Sequence, residues 1–293
     1  MQIIFNVLEI VSPVFILATI GFFWVKRGYD YPIDFVTNMV MIVGLPCLVF
    51  TALMKTKIDP DALASTFFAS IAVYALITVA FFVLVKAFSL EVKTFLAPLI
   101  FSNTGNLGLP LALFAFGEAG LSYAIIVFAV MMIYSFSAGI WMVSGGGSPF
   151  RILKDPIFWG ALLGALFMIQ GWSTPTWLTN TVDLLGQLVI PLMLITLGVT
   201  LARLESPAFG RSVWLSVVKL VICIGASYGV GMWFGLDKIA LAVLVVQVST
   251  PVAVTSYLIA QKYGANADEV AGLVVVSTAL SIIALPLMLG FLL

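Results

Sequence analysis

The sequence predicts an all-α polytopic membrane protein, with ten transmembrane helices arranged as two inverted five-helix repeats. Its 293 residues are 62% hydrophobic and only 9% charged, whereas a soluble domain carries about 25% charged residues. A chain so poor in charge cannot cover a water-facing surface. Its apolar runs reach the roughly 20 residues that a helix needs to cross a bilayer, and comparable runs occur in both halves of the chain.

Charged residues, glycines and prolines separate the apolar runs from one another. The ten predicted spans are 4–25, 34–54, 62–86, 94–117, 120–143, 156–171, 178–202, 210–234, 238–260 and 269–292. The first run lacks the basic residues that open a signal peptide, so we interpret it as a retained span. With the N-terminus outside, most Lys and Arg residues fall in predicted cytoplasmic loops. We therefore expect a plasma-membrane or inner-membrane protein with both termini non-cytoplasmic.

A short glycine-rich segment divides the chain after the fifth span. We predict a first five-helix repeat at residues 1–143, a short cytoplasmic linker at 144–155 and a second repeat at 156–293. Because each repeat has an odd number of spans, the second repeat enters the membrane in the opposite direction. This inverted topology is typical of secondary transporters.

Two local alignments support the repeat. Setting Pro46 on Pro191 superimposes the apolar patterns of the second and seventh spans, and Ser102 falls on Ser249 when the fourth and ninth spans are compared. The two alignments need nearly the same offset along the chain. The alternative is chance similarity between apolar segments of limited composition.

Two spans contain a polar interruption at matching positions. The fourth reads "SNTGNLGLP" from residue 102 and the ninth reads "QVSTP" from residue 247. Glycine weakens a helix and proline removes a backbone donor, and bare backbone groups survive in lipid only where protein or water satisfies them. One interpretation of these interruptions is structural: each is a kink that lets neighbouring helices pack closely. The functional interpretation is that helices four and nine are broken and cross at mid-membrane, with the N-termini of half-helices facing a shared cavity.

The polar residues of both interruptions are therefore the candidate substrate-binding groups, together with one tyrosine of the fifth span. They are Asn103, Thr104, Asn106, Pro110, Gln247, Ser249, Thr250, Pro251 and Tyr134. No Arg lies in the middle of a span. We therefore expect helix ends and amides, rather than a full counter-charge, to hold an anionic substrate.

Ionisable groups inside a membrane are costly and often functional. Asp183, Glu9 and Lys219 are the candidates for proton or cation coupling, and Asn38 joins them because it aligns with Asp183. Each charge also has a structural interpretation. Asp183 and Glu9 would then be solvated near span ends, and Lys219 would extend towards the inner face. The chain has no His, and we predict no metal site and no cofactor.

The stretches "SNTGNLGLPL", "GLPCLVFTAL", "IPLMLITLGVTL" and "STPVAVTSYLIAQKYGANADEVAG" resemble the auxin efflux carrier family (PIN-like) of the bile acid/auxin transporter superfamily. That family includes plant carriers and bacterial malonate and malate carriers. The resemblance implies a scaffold of spans one, two, six and seven that mediates homodimer contacts. It also implies a transport domain of spans three to five and eight to ten that moves as an elevator, with substrate at the crossover of helices four and nine.

The function that we expect is secondary transport of a small organic anion across the lipid bilayer. Auxin-like monocarboxylates and malonate- or malate-like dicarboxylates are the substrate classes, and the driving force is left open between protons, sodium and the membrane potential alone. An ion channel or a non-transporting anion sensor of the same fold is the alternative. No catalytic motif points to an enzyme, and zero net charge without a basic run argues against nucleic-acid partners.

Overall fold

The computed structural model describes residues 2–139, 142–143, 155–204 and 209–292, and these residues are almost entirely helical. Within them the backbone forms no β-strand, only one isolated antiparallel bridge. The prediction of an all-α protein is confirmed.

Over residues 2–139 the first half contains six α-helices, some of them parts of one predicted span, and residues 142–143 are also helical. Their bounds are α1 Gln2–Lys26, α2 Ile33–Met39, α3 Leu45–Lys55, α4 Pro60–Ala87, α5 Val92–Ile100 and α6 Leu109–Tyr134. Three wider π-helical segments adjoin them, namely Val40–Gly44, Thr104–Gly108 and Ser135–Gly139.

Within residues 155–204 and 209–292, the second half contains seven α-helices. Their bounds are α7 Pro156–Gln170, α8 Thr176–Gln187, α9 Val189–Arg203, α10 Phe209–Trp233, α11 Lys238–Ser249, α12 Val254–Tyr263 and α13 Ala267–Leu292. Asp155 begins this half as the N-cap of α7, since its carboxylate accepts a hydrogen bond from the Ile157 N–H. The rest of the predicted linker, 144–154, lies outside the described residues.

Prolines explain two of the π-helical segments. Pro46 in α3 and Pro110 in α6 each lie in the first turn of a helix that follows one. A proline ring clashes with the carbonyl four residues earlier and offers no N–H to it. One extra residue in the preceding turn removes that conflict while the chain remains helical.

The helix bounds agree with the predicted spans to within a few residues. The boundary between spans four and five falls at Gly117, whose φ of 63° and ψ of −156° bend α6 sharply. By length and composition, seven helical segments among the described residues can cross a membrane, and α7 and α11 are shorter apolar helices. The count of ten and the inverted relation of the halves remain predictions.

Helix packing separates two groups. In the first, α1 lies along α9, and α3 packs against α7 and α8. Glycine permits the closest of these approaches, because a Cβ at Gly198 of α9 would lie 2.6 Å from the carbonyl carbon of Ala18 in α1. In the second group, α4, α6, α10, α11 and α13 pack together. The interrupted helices belong to this second group.

Candidate functional site

The two interruptions meet at the centre of the second helix group. Helix α5 ends at Ile100 and α11 ends at Ser249. After each of these two helices, the backbone has no helical structure for a few residues. Ser102 and Val252 form the antiparallel bridge between them. We call residues 101–110 and 247–255 the crossing. The expectation that broken helices four and nine face each other agrees with this geometry.

Backbone hydrogen bonds hold the crossing together. The Asn103 N–H donates to the Pro251 carbonyl at 2.7 Å, and the Ala253 N–H donates to the Phe101 carbonyl at 3.1 Å. The Val252 N–H donates to the Ser277 Oγ of α13 at 3.0 Å. The backbone groups that the breaks release are thus satisfied by protein, as burial in a membrane requires.

Several buried side chains at the crossing, by contrast, have polar atoms without a hydrogen-bond partner among the described residues. Among the described residues, no hydrogen-bond partner is present for the Asn103 Nδ2, the Thr104 Oγ1, the Ser249 Oγ or either amide atom of Gln247. All four residues are at most 4% exposed. Buried polar side-chain atoms nearly always have a partner in protein or ordered water. Ser249 lines one of the two cavities described below, whereas Asn103, Thr104 and Gln247 line neither of them.

Close packing fixes the position of one of these amides. A Cβ at Gly108 would overlap the Gln247 Oε1 and lie 2.8 Å from its Cδ. Gln247 is fully buried, so its amide has little room to retreat. Because residue 108 is glycine, the side chain of Gln247 can pack directly against its backbone.

Lys219, one of the predicted coupling candidates, lies at the crossing. The residue is 2% exposed, and its Nζ donates to the Ser102 Oγ at 2.6 Å and to the Thr250 carbonyl at 3.1 Å. The interpretation that Lys219 extends towards the inner face is wrong. The expectation that helix ends and amides, rather than a full counter-charge, hold an anionic substrate stays a prediction, and α10 carries Lys219 behind the two breaks.

A cavity of about 710 Å³ opens beside the crossing. We call it the large cavity. Asn106 and Thr255 line it from the crossing. From the first helix group and its loops it is lined by Tyr31, Asp34, Thr196 and Arg203. The Tyr31 hydroxyl and the Thr196 Oγ1 are hydrogen-bonded at 2.7 Å, and Arg203 donates to the Tyr31 carbonyl at 2.9 Å. Burial raises the pKa of the Tyr31 phenol, so it stays neutral at physiological pH.

A much smaller cavity lies on the Lys219 side. Its volume of about 10 Å³ is the room that one water molecule needs. We call it the small cavity. Lys219, Ser249, Thr250 and Pro251 line it, along with serines of α10 and α13. Among the predicted site residues, Asn106 thus faces the large cavity, whereas Ser249, Thr250 and Pro251 face the small one.

Tyr134 lies at the edge of the crossing. Its ring centroid is 5.6 Å from that of Phe101, and its hydroxyl is hydrogen-bonded to the Thr78 Oγ1 at 2.9 Å. Pro110 is buried in the first turn of α6. Both residues shape the surroundings of the polar groups.

The other coupling candidates lie away from the crossing. Asp183 of α8 forms an ion pair with Lys55 at the end of α3. Both residues line a cavity of about 390 Å³ that also contains Glu118. Glu9 and Asn38 are exposed on α1 and α2. The structure therefore does not bring the four predicted coupling residues together.

The structure adds Ser102 and Ser277 to the site. Ser102 connects Lys219 to α11, because its Oγ donates to the Val248 carbonyl at 2.6 Å. Its position at the start of the first interruption was a usable signal. Ser277 lies in α13, in a run that reads as ordinary apolar helix, and no pattern in the sequence marked it.

An all-helical membrane protein whose interrupted helices meet at buried, unpartnered polar groups belongs to the class of membrane transporters. The chain is a member of the membrane transport protein family, whose sequence profile matches residues 6–152 and again residues 144–289. This confirms the resemblance to auxin efflux carriers. The two matches fit a chain built from two halves.

Three relatives are similar to this chain. One from Methanothermobacter thermautotrophicus, described as an uncharacterized transporter, is 29% identical over 192 residues, 63% of each chain. One from Methanocaldococcus jannaschii, also described as an uncharacterized transporter, is 24% identical over 96% of this chain and 97% of its own. One from Rhizobium meliloti, with the name "Putative malonate transporter", is 24% identical over 93% of this chain and 92% of its own.

Proposed function

We propose that the protein is a secondary carrier of small organic anions that binds its substrate at the crossing. One observation carries the proposal. Four residues at the junction of two broken helices bury polar atoms that have no partner among the described residues, and Asn106 of the same junction lines a large cavity. Polar groups kept unpaired at this depth are costly for folding, and binding a polar solute offsets that cost.

Helix ends favour an anion in the large cavity. Asn106 lies in the first turn of the helical segment that continues into α6, and Val254 and Thr255 lie in the first turn of α12. First-turn N–H groups lack intrahelical partners and carry partial positive charge. Arg203 adds a full positive charge to the lining and Asp34 adds a full negative one, so the preference for an anion rests on the helix N-termini. A volume of about 710 Å³ also falls in the usual range for small-molecule sites.

A dicarboxylate is the first substrate to test. The relative from Rhizobium meliloti is named for malonate, and a small diacid suits a site with an Asn amide, helix N-termini and an arginine. Auxin-like monocarboxylates and malate are the next members of the panel.

Alternating access in this proposal is an elevator movement between the two helix groups. The moving domain comprises α4 to α6 and α10 to α13, and the scaffold comprises α1 to α3 and α7 to α9. The large cavity opens towards Tyr31 and Arg203, which lie in predicted cytoplasmic loops, so the described state would face inwards with both termini outside. The cavity beside Lys55 and Asp183 would then lie on the outer side.

The surface of the scaffold suits lipid and a second copy of the chain. Leu162, Leu166 and Ile169 on α7 are exposed, as membrane-facing side chains are. We propose that scaffold helices form the contact of a homodimer, as the family resemblance implies. Cross-linking in native membranes tests that contact.

A carrier agrees better with the crossing than an ion channel does. A channel needs a continuous path, whereas Asn103, Pro251 and Ala253 close the backbone across the junction. Saturable flux supports the carrier, and flux that rises linearly with concentration would overturn it. Specific binding without flux would identify a sensor.

The deciding experiment is uptake into proteoliposomes. Purified protein is reconstituted, and uptake of labelled malonate, malate and an auxin is measured with proton and sodium gradients imposed separately. Asn106→Ala should lower malonate uptake about tenfold to a hundredfold, since a hydrogen bond to a charged group contributes about 1.5–3 kcal/mol. Asn180→Ala, at an exposed position on α8, is the matched control. Wild-type uptake by Asn106→Ala would remove Asn106 from the site.

The same assay tests coupling through Asp183. If protons drive transport through this carboxylate, Asp183→Asn should flatten the pH profile of uptake while leaving uptake at the optimum measurable. An unchanged profile would exclude Asp183 from coupling.

A further inference from the structure

Lys219 occupies a position at the crossing that calls for a positive charge. Helices α5 and α11 both end at the crossing, and the carbonyls at a helix C-terminus carry partial negative charge. Lys219 donates to the Thr250 carbonyl directly, and it reaches the Val248 carbonyl through the Ser102 hydroxyl. The ammonium thus faces the negative end of α11.

The surroundings of Lys219 offer no counter-charge. The small cavity is lined by hydroxyls, a backbone turn and apolar side chains, without any carboxylate. The remaining neighbour of the Nζ is the Cys223 Sγ at 4.0 Å. Among the described residues, no cluster of His, Cys, Asp or Glu could hold a metal ion. Hydroxyl and carbonyl oxygens can bind a hard cation, but the ammonium already takes the Ser102 hydroxyl and the Thr250 carbonyl and would repel a second cation.

The charge of Lys219 and the helix N-termini act in the same direction. On the side of the large cavity, Asn106 and Thr255 present first-turn N–H groups. On the opposite side, Lys219 neutralises the carbonyl end of α11. The partial positive charge of these N–H groups is therefore not cancelled from behind, and the opposite charges of Arg203 and Asp34 in the same lining offset each other, so the crossing itself favours an anion.

We propose that Lys219 is a built-in cation that sets the anion preference of the crossing and makes sodium unnecessary for binding. This inference rests on the proposed function, because it names the residue that selects the charge of the substrate. A buried ammonium that lacks a carboxylate partner destabilises the fold relative to an apolar side chain of similar size. Binding an anion across the crossing offsets that penalty.

The test compares Lys219→Met with the wild-type protein in proteoliposomes. Uptake of labelled malonate is measured in sodium medium and in choline medium, at the same imposed membrane potential. Wild-type uptake should agree between the two media to within about twofold. Lys219→Met should lose at least about tenfold in both media, equivalent to about 1.4 kcal/mol of anion stabilisation. Lys86→Met, at an exposed position on α4, removes a charge without touching the crossing and should transport normally.

Each result has a definite meaning. Wild-type uptake that requires sodium, or normal uptake by a folded Lys219→Met, would overturn the inference and leave the carrier function intact. Absence of carboxylate uptake by the wild-type protein would instead refute the proposed function. A thermal melt and a gel-filtration profile show whether Lys219→Met is folded. If it is not, Lys219→Gln, which keeps a hydrogen-bond donor without the charge, takes its place: a loss of at least about tenfold supports the inference, and normal uptake overturns it.

Discussion

The contact between Gly108 and Gln247 gives the sharpest prediction for the crossing. In Gly108→Ala, the new Cβ would lie 2.8 Å from the Gln247 Cδ and 3.1 Å from its Nε2. Ordinary contacts of this kind begin near 3.4 Å, so the amide would have to move. Because Gln247 is fully buried, the movement must displace its neighbours.

The magnitude follows from two opposing effects. Overpacking a close-packed interior destabilises by about 1–3 kcal/mol, while replacing glycine by alanine in a helix stabilises by up to about 1 kcal/mol. The net loss should be about 1–2 kcal/mol. A change of 1 kcal/mol moves the melting temperature of a chain of similar size by about 2–4 °C, so the apparent melting temperature should fall by about 2–8 °C.

A double-mutant cycle shows whether the clash is the cause. Melting temperatures in detergent are measured for Gly108→Ala, Gln247→Ala and the double variant, with Gly225→Ala as control because nothing lies within 4 Å of a Cβ there. The double variant should be more stable than the sum of the single effects predicts, since removing the amide gives the methyl group space. Strict additivity would refute the close approach of Gly108 and Gln247.

Further predictions concern the packing of the scaffold, an exposed ion pair and the support of the crossing. Gly198→Ala should lower the free energy of unfolding by at least about 2 kcal/mol, because a Cβ would meet the backbone of α1, whereas Gly229→Ala, with open space around it, should cause no loss of stability in the same melts. Lys55→Met and Asp183→Asn should each change stability by less than about 1 kcal/mol, since their pair is partly exposed, and a loss above about 2 kcal/mol would show that water does not reach the pair. Ser277→Ala should destabilise by about 1–3 kcal/mol because it leaves the buried Val252 N–H unpaired, and stability equal to the wild type would contradict that hydrogen bond.

The sequence contained enough to predict the two breaks and their meeting. Gly105, Gly108 and Pro110 cannot continue a regular helix, and Pro251 interrupts the partner segment in the same way. Their polar neighbours exclude a lipid-facing position, because unpaired backbone is not tolerated in hydrocarbon. Helix breaks of this kind can be predicted from the sequence, because they depend on local backbone chemistry more than on distant contacts.

Long-range partners could not be predicted in the same way. Lys219 is one residue in an apolar helix, and the direction of its side chain depends on how α10 rotates against the breaks. Lys55 and Asp183 are 128 residues apart, and only the tertiary fold brings α3 beside α8. The π-helical turns before Pro46 and Pro110 could in principle be predicted from the chemistry of proline. The change that these turns cause in the helical register could not be predicted.

The bridge between Ser102 and Val252 has a consequence for how selectivity can change. Its hydrogen bonds use main-chain atoms, which every amino acid except proline can supply in the same way. Side chains around this frame can therefore be exchanged without separating the two segments. Cargo preference could then diverge among homologous carriers by substitution alone, while both walls of the pocket stay in register.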